Sequence, residues 1–188
     1  IPLRLVGSEM CIRDRYTGES LAVKLSDFAD VSERIQYLVT QVEEITKIDN
    51  FGAYLTAMLE IDAFFMNEDR HTNNIAVIYN EKTQKYELSP FFDQGLCMFA
   101  DINQDYPIDQ SLEYCLEKIE AKPFSSDFDI QLDAAEELYG IQIGFQFTFK
   151  DIQIYLQKNS ENYPREVIRR VEQLLRGQMR KYGYLMKK

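Results

Sequence analysis

The sequence predicts an α+β fold that is mainly helical, with a single β-hairpin near its middle. Three observations carry this. Apolar residues recur at three- and four-residue steps over several stretches. A β-branched and aromatic run, Ile75-Ala76-Val77-Ile78-Tyr79, is followed by a turn and the alternating Lys85-Tyr86-Glu87-Leu88, the two arms of a hairpin. Polar residues crowd both ends of that hairpin.

The elements follow in order. Residues 30–48 read as a helix, with Asp30 and Glu33 at capping-box spacing and Ile35, Leu38, Val39, Val42 and Ile45 along one face. Asp49 or Asn50 offers an N-cap for a second helix running to Met66. Its Phe51, Tyr54, Leu55, Met58, Leu59, Ile61 and Phe65 are apolar on more than one side, which places it in the middle of the core. After the hairpin, Ser89-Pro90 breaks the strand. Helices are expected at about 109–120, 127–139 (stopped by Gly140), 148–157 and 164–182, the third opened by Thr148 and Asp151 as a capping box. Residues 145–149 fit either a strand or the start of that third helix.

Composition sets outer bounds. The chain has 188 residues, 45% of them hydrophobic, enough to bury a core as one domain or one lobe of a larger protein. No apolar run is long enough to span a bilayer. With 21 Lys+Arg against 31 Asp+Glu the net charge is −10, which argues against general binding of nucleic acid or an anionic membrane. Cys11, Cys97 and Cys115 lie far apart, with no C-x-x-C and a single His. A disulfide framework and a structural zinc site are therefore not expected, and a reducing cytoplasm is.

The two ends differ from the body. Residues 1–15 lack strand alternation and a helical stripe, and they are not a signal peptide. Their VGSEMCIRDR string looks like translated sequencing-adapter read-through; the alternative is a genuine N-terminal strand. On the first reading the natural chain is entered near Tyr16, and 16–188 form one unit. Without those residues 18 basic side chains still face 29 acidic ones. From Arg165 onward eight basic residues face two acids, so this helix is expected either to lie against an acidic body or to meet an acidic partner.

The polar residues at the hairpin ends suggest chemistry. Phosphoryl transfer asks a protein to hold Mg²⁺ on the phosphates with hard oxygen ligands and to orient a hydroxyl with a carboxylate. Asp69 is followed five positions on by Asn74, then the hairpin, then Asp93 with Gly95 two positions later. A hairpin returns its ends to one place, so Asp69, Asn74 and Asp93 should converge. Taken singly, Asp69 fits a turn or capping acid, Asn74 an Asx-turn, and His71 a structural hydrogen-bonder. Cys97 fits a small core residue better than a reactive thiol.

Asp69-Arg70-His71-x-x-Asn74, with Asn67 before it and Pro90-x-x-Asp93-x-Gly95 after the hairpin, resembles the HipA-like serine/threonine kinases. The Asp-x-His-x-x-Asn form is shared with the phosphatidylinositol 3-/4-kinases. The resemblance covers about residues 51–99 and, more weakly, Lys122-Pro123-Phe124 and the helices beyond. It implies a kinase-like C-terminal lobe that uses ATP and Mg²⁺ to phosphorylate a Ser/Thr hydroxyl on a protein. It further implies that Asp69 orients or deprotonates that hydroxyl and that Asn74 and Asp93 ligate the metal. Asn67, Arg70 and His71 would hold the loop, and Gly95 would allow a turn with positive φ after Asp93.

The pattern is incomplete for a whole kinase. No glycine-rich loop occurs. Leu21-Ala22-Val23-Lys24 resembles the strand bearing the phosphate Lys, but only 45 positions separate Lys24 from Asp69, too few for the roughly 60 or more that the intervening elements need. The expectation is a nucleotide lobe and its Lys upstream, and little activity without them. Two rivals remain. A phosphoinositide kinase would want a basic segment after Asp93, where Asp101, Asp105, Asp109 and Glu113 stand instead. A non-catalytic pseudokinase or binding module would have no need of three converging polar groups.

Overall fold

The structure, a computed structural model, describes residues 8–11 and 25–187. Lys24 and most of the segment 1–15 lie outside the described residues. Within them run β1 (Ser8–Cys11), α1 (Val31–Thr46), α2 (Phe51–Phe65), β2 (Ala76–Asn80), β3 (Lys85–Leu88), α3 (Leu112–Lys118), α4 (Phe128–Tyr139), α5 (Phe149–Lys158) and α6 (Arg165–Lys181). Single 3-10 turns occupy Thr72–Asn74 and Gly183–Leu185. The fold is mainly helical and α+β.

The hairpin β2–β3 pairs Val77 with Leu88 and Asn80 with Lys85. The stretch read as patternless supplies a third strand: β1 runs antiparallel to β2, with Ser8 opposite Tyr79 and Cys11 opposite Ala76. Four residues are too few for alternation to register as a pattern.

Helix α1 begins where Asp30 accepts hydrogen bonds from the backbone N–H groups of Ser32 and Glu33 at 2.8 and 3.2 Å. Its buried face is Ile35, Leu38, Val39 and Val42. Helix α2 follows after four residues. Asn50 occupies its N-cap position but makes no side-chain cap. Glu43, one turn before the end of α1, accepts the Phe51 N–H instead at 3.0 Å. A side chain from the preceding helix thus satisfies a donor that a local cap ordinarily would.

Helix α2 is the centre of the molecule. Phe51, Leu55, Met58, Leu59, Ala63 and Phe64 are buried on it, and it packs on α1, α4 and α6. The approach to α4 is close. A Cβ at Gly52 would stand 2.4 Å from a ring atom of Tyr139, so only glycine fits there. At the other end, Phe64 gathers Phe65, Phe145, Phe147 and Tyr182 with ring centroids 4.5–6.4 Å away. Phe145 also exchanges backbone hydrogen bonds with Leu185 (2.8 Å) and Lys187 (2.9 Å). Residues 145–147 are therefore an extended segment tied to the C-terminus. α5 starts only at Phe149, with the Thr148–Asp151 capping box formed.

The basic helix α6 lies along this body. Arg170 is buried and donates to the carbonyls of Tyr106, Pro107 and Gln110 at 2.6–3.1 Å. Lys181 meets Asp129 at 2.6 Å, and Arg176 stacks 4.2 Å over the Phe149 ring. Cys97 and Cys115 are free, and burial pushes both thiols up, Cys97 to about 12. Both therefore favour the protonated thiol at neutral pH. No helix among the described residues is long and apolar enough to cross a membrane.

One buried acid makes stability depend on pH. Glu60, on α2, accepts the N–H groups of Gln142 and Ile143 at 2.8 and 2.6 Å. Burial nonetheless lifts its carboxyl from 4.5 to about 6, against the pull of those two donors and with a further push from Glu136. Between these values the folded chain holds a proton that the unfolded chain has released, so stability falls as pH rises through that window. Asp62, Glu68 and Glu136 are raised as well and add the same sign. Thermal melting from pH 4.5 to 6.5 is expected to show a falling midpoint, and Glu60→Gln a shallower slope. Equal slopes in the two proteins would remove Glu60 from this account.

Candidate functional site

The site begins at the C-terminus of α2, where the last four carbonyls of the helix need partners from outside it. All four have them. Asp62 O accepts from the N–H groups of Met66 and Asn67. The carbonyls of Ala63 and Phe64 accept from the buried amide of Gln178 at 2.8 and 3.2 Å, and Phe65 O accepts the Met98 N–H at 2.9 Å. Met66 then turns the chain out with φ of 55°, and the polar loop starts from a fixed point.

That loop is stitched by its own side chains. Asn67 is fully buried; its Oδ1 accepts the Asp69 N–H at 3.2 Å and its Nδ2 donates to Asp62 Oδ1 at 2.8 Å. Asn74 Nδ2 donates to the backbone carbonyl of Asp69 at 2.9 Å. His71 N–H donates to the same carbonyl at 2.8 Å, and Asn74 N–H to His71 O at 2.9 Å. The five-residue spacing of Asp69 and Asn74 is thus the span of one compact turn closed by the Asn amide.

Arg70 joins this loop to the other end of the hairpin. Its side chain has no exposure. Nε donates to Asp62 Oδ2 at 2.6 Å and Nη2 to Asp62 Oδ1 at 3.0 Å, a bidentate pair. Nη1 donates to Asn74 O at 2.9 Å and to Phe92 O at 3.0 Å. Phe92 precedes Asp93, so one guanidinium sets the distance between the Asp69–Asn74 turn and Asp93. Burial raises the Asp62 carboxyl, while the hydrogen bonds and charge of Arg70 and the amide of Asn67 oppose the rise.

The result is a cluster. Carboxylate oxygens of Asp69 and Asp93 and a ring nitrogen of His71 lie within 4.8 Å of one another. Asp93 is exposed; Asp69 and His71 are half-buried. His71 Nε2 lies 4.0 Å from Asp69 Oδ2, and its Nδ1 is shielded from solvent with no hydrogen-bond partner among the described residues. Ligands of one Mg²⁺ at about 2.1 Å stand at most about 4.2 Å apart, so a small side-chain rotation would bring these groups around a shared ion. The donor set fits a divalent cation. The Asn74 amide oxygen stands on the same turn, its nitrogen already committed to the Asp69 carbonyl.

Not every expectation keeps its reason. The positive φ at this turn belongs to Asp93 itself, at 56°, and Gly95 is not in the left-handed region. A Cβ at Gly95 would meet nothing within 4 Å. Asp tolerates that conformation better than most residues because its short side chain bonds locally.

Sequence reasoning passes over Asp62, and it names Lys122 only as part of Lys122-Pro123-Phe124, with no role at the site. Asp62 lies inside an apolar helix eight residues before Arg70. An acid on a buried face must have a partner, and that was the available signal. Lys122 reaches Asp69 from about fifty residues away, with Nζ 3.8 Å from Oδ1. Glu68, beside Asp69, accepts a hydrogen bond from the buried Tyr106 hydroxyl. Comparison with protein-family models, curated proteins and solved structures finds no match.

The Arg70–Asp62 pair yields a stability test. Breaking a buried pair from one side leaves an uncompensated charge, so Asp62→Asn or Arg70→Met is expected to cost about 3–5 kcal/mol. The double variant Asp62→Leu with Arg70→Met removes both charges and should regain much of that loss. Urea unfolding measures all three. Additive losses in the double variant would show that the pair is not coupled.

Proposed function

We propose that this chain is the catalytic-loop lobe of a HipA-like kinase, an ATP- and Mg²⁺-dependent phosphotransferase acting on Ser/Thr hydroxyls of a protein. The observation that carries the reading is the meeting of Asp69, His71 and Asp93 at the two ends of one hairpin, on a turn closed by Asn74. It is joined by the order and spacing of those residues in the sequence.

In this reading Asp69 receives the hydroxyl. Its backbone is held from Asn67 and Asn74, which leaves the carboxylate to hydrogen-bond the acceptor O–H and to take its proton as the hydroxyl oxygen bonds to the γ-phosphorus of ATP and the bond from that phosphorus to the bridging oxygen breaks, releasing ADP. Asp93 and the Asn74 amide oxygen would hold Mg²⁺, with His71 beside them. When bound, the ion supplies charge neutralisation for the phosphates. Arg70 serves from behind by fixing the spacing of the two loops. The acids at 101, 105, 109 and 113 favour a polypeptide acceptor over an anionic lipid head group.

Manganese tests the metal reading, since it binds where Mg²⁺ does and is visible by electron paramagnetic resonance. Titration of the chain with Mn²⁺ should reveal one site, weakened at least about tenfold by Asp93→Asn through loss of a charged oxygen ligand. Radiolabel transfer from ATP to a protein acceptor should fall about 10²–10⁴-fold in Asp69→Asn. Mn²⁺ binding indifferent to residue 93, or wild-type transfer by Asp69→Asn, would refute the assignment.

A further inference from the structure

The geometry points to Lys122 as a phosphate-binding residue of this site, the group that meets the phosphoryl oxygens on the Asp69 side. The inference rests on the phosphotransferase reading and adds a residue that neither the loop motif nor the metal set contains.

The argument starts from how the side chain is held. Lys122 sits in a short loop between α3 and α4 whose backbone is locked. Gln131, buried on α4, accepts the Phe124 N–H through Oε1 at 3.4 Å and donates through Nε2 to the Lys122 carbonyl at 3.2 Å. Ala121 N–H donates to Ser126 O at 2.8 Å, closing the loop. Arg34 reaches across from α1 to the Phe124 carbonyl at 2.7 Å, and the Phe124 ring is fully buried. These bonds tie the loop base to α1 and α4. Only the flexible stem of Lys122 leaves it, and it extends to Asp69.

The contact it makes there is unfinished. Nζ stops 3.8 Å from Asp69 Oδ1, inside coulombic range but beyond hydrogen-bond length. None of its three N–H donors is spent within the described residues, and half of the side chain is exposed. An exposed pair at that distance does little for stability. It does place a cation where Asp69, Glu68 and Asp93 would otherwise repel an incoming phosphate. A phosphate oxygen beside this pair would accept a charge-assisted N–H from Lys122 while its phosphorus faces the hydroxyl held by Asp69.

Inorganic tripolyphosphate, added to the chain in the presence of Mn²⁺, provides a probe that needs no turnover. Lys122→Met should weaken tripolyphosphate about tenfold, the loss of one charge-assisted hydrogen bond. Lys122→Arg, which keeps the charge, should stay within about threefold of wild type. The same Lys122→Met change removes a cation from beside the metal ligands, so affinity for Mn²⁺ alone should hold or rise. A merely structural Lys would instead weaken both or neither, and either result would overturn the inference while leaving the metal site standing. Failure of wild-type chain to bind Mn²⁺ at all would overturn the phosphotransferase reading and this inference with it. Unchanged melting temperature in Lys122→Met confirms that its fold is intact.

Discussion

A guanidinium removed from water needs acceptors from the protein, and four of the five N–H groups of Arg70 find them in three separate places in the chain. The Asp62 carboxylate takes two N–H groups, Asn74 O a third and Phe92 O a fourth. Because Asp62 belongs to α2, Asn74 to the polar turn and Phe92 to the strand exit, these bonds form together only when all three segments are in place. Leaving such a charge unpaired is costly. The spacing between Asp69 and Asp93 is therefore fixed from behind, by groups that do not themselves face solvent.

That arrangement in turn depends on α2 ending where it does. Gln178 from α6 and the Met98 N–H take the carbonyls that the helix leaves open, so the exit of the polar turn is braced by elements on both sides. The aromatic cluster around Phe64 fills the space beneath, and it draws residues 145–147 and Tyr182 onto the same helix end. The extended segment 145–147 and the C-terminal segment thus act on the site through packing. Arg170 extends the same logic to the loop at 106–110, which carries Tyr106 and its hydrogen bond to Glu68.

Much of this was legible in the sequence, for identifiable reasons. Helices α1 and α2 declare themselves by apolar period, α1 and α5 also by Asp30, Thr148 and Asp151 at their starts, and α3, α4 and α6 fall within the stretches expected to be helical. The hairpin reads from its β-branched arm and its turn. What failed to read was whatever depends on distant partners. Glu43 caps α2 in place of Asn50 because tertiary geometry brought a carboxylate to Phe51 N–H. Asp62, an acid on an apolar helix, finds its partner only where Arg70 folds onto it. The left-handed residue was taken to be Gly95, since glycine adopts that conformation most easily, yet Asp93 adopts it. β1 is joined to β2 across more than sixty residues, and nothing local in Ser8–Cys11 announces the pairing.

The charge balance at the cluster gives the arrangement its direction. Asp69 and Asp93 bring two carboxylates within a few ångströms, with Glu68 adjacent, in a chain that already carries −10. Coulomb repulsion between such groups is modest in water but grows as solvent is displaced. Held apart from any cation, they would be better placed facing solvent on separate loops. Instead Arg70, itself committed to Asp62, spends its remaining donors on bringing the two loops together, and the locked loop at 121–126 delivers Lys122 to one flank. Cationic charge at the opposite flank, by Asp93 and His71, would complete the neutralisation. On the reading proposed above, a ligand with both signs of charge, such as a divalent ion carrying phosphate, would complement such a site.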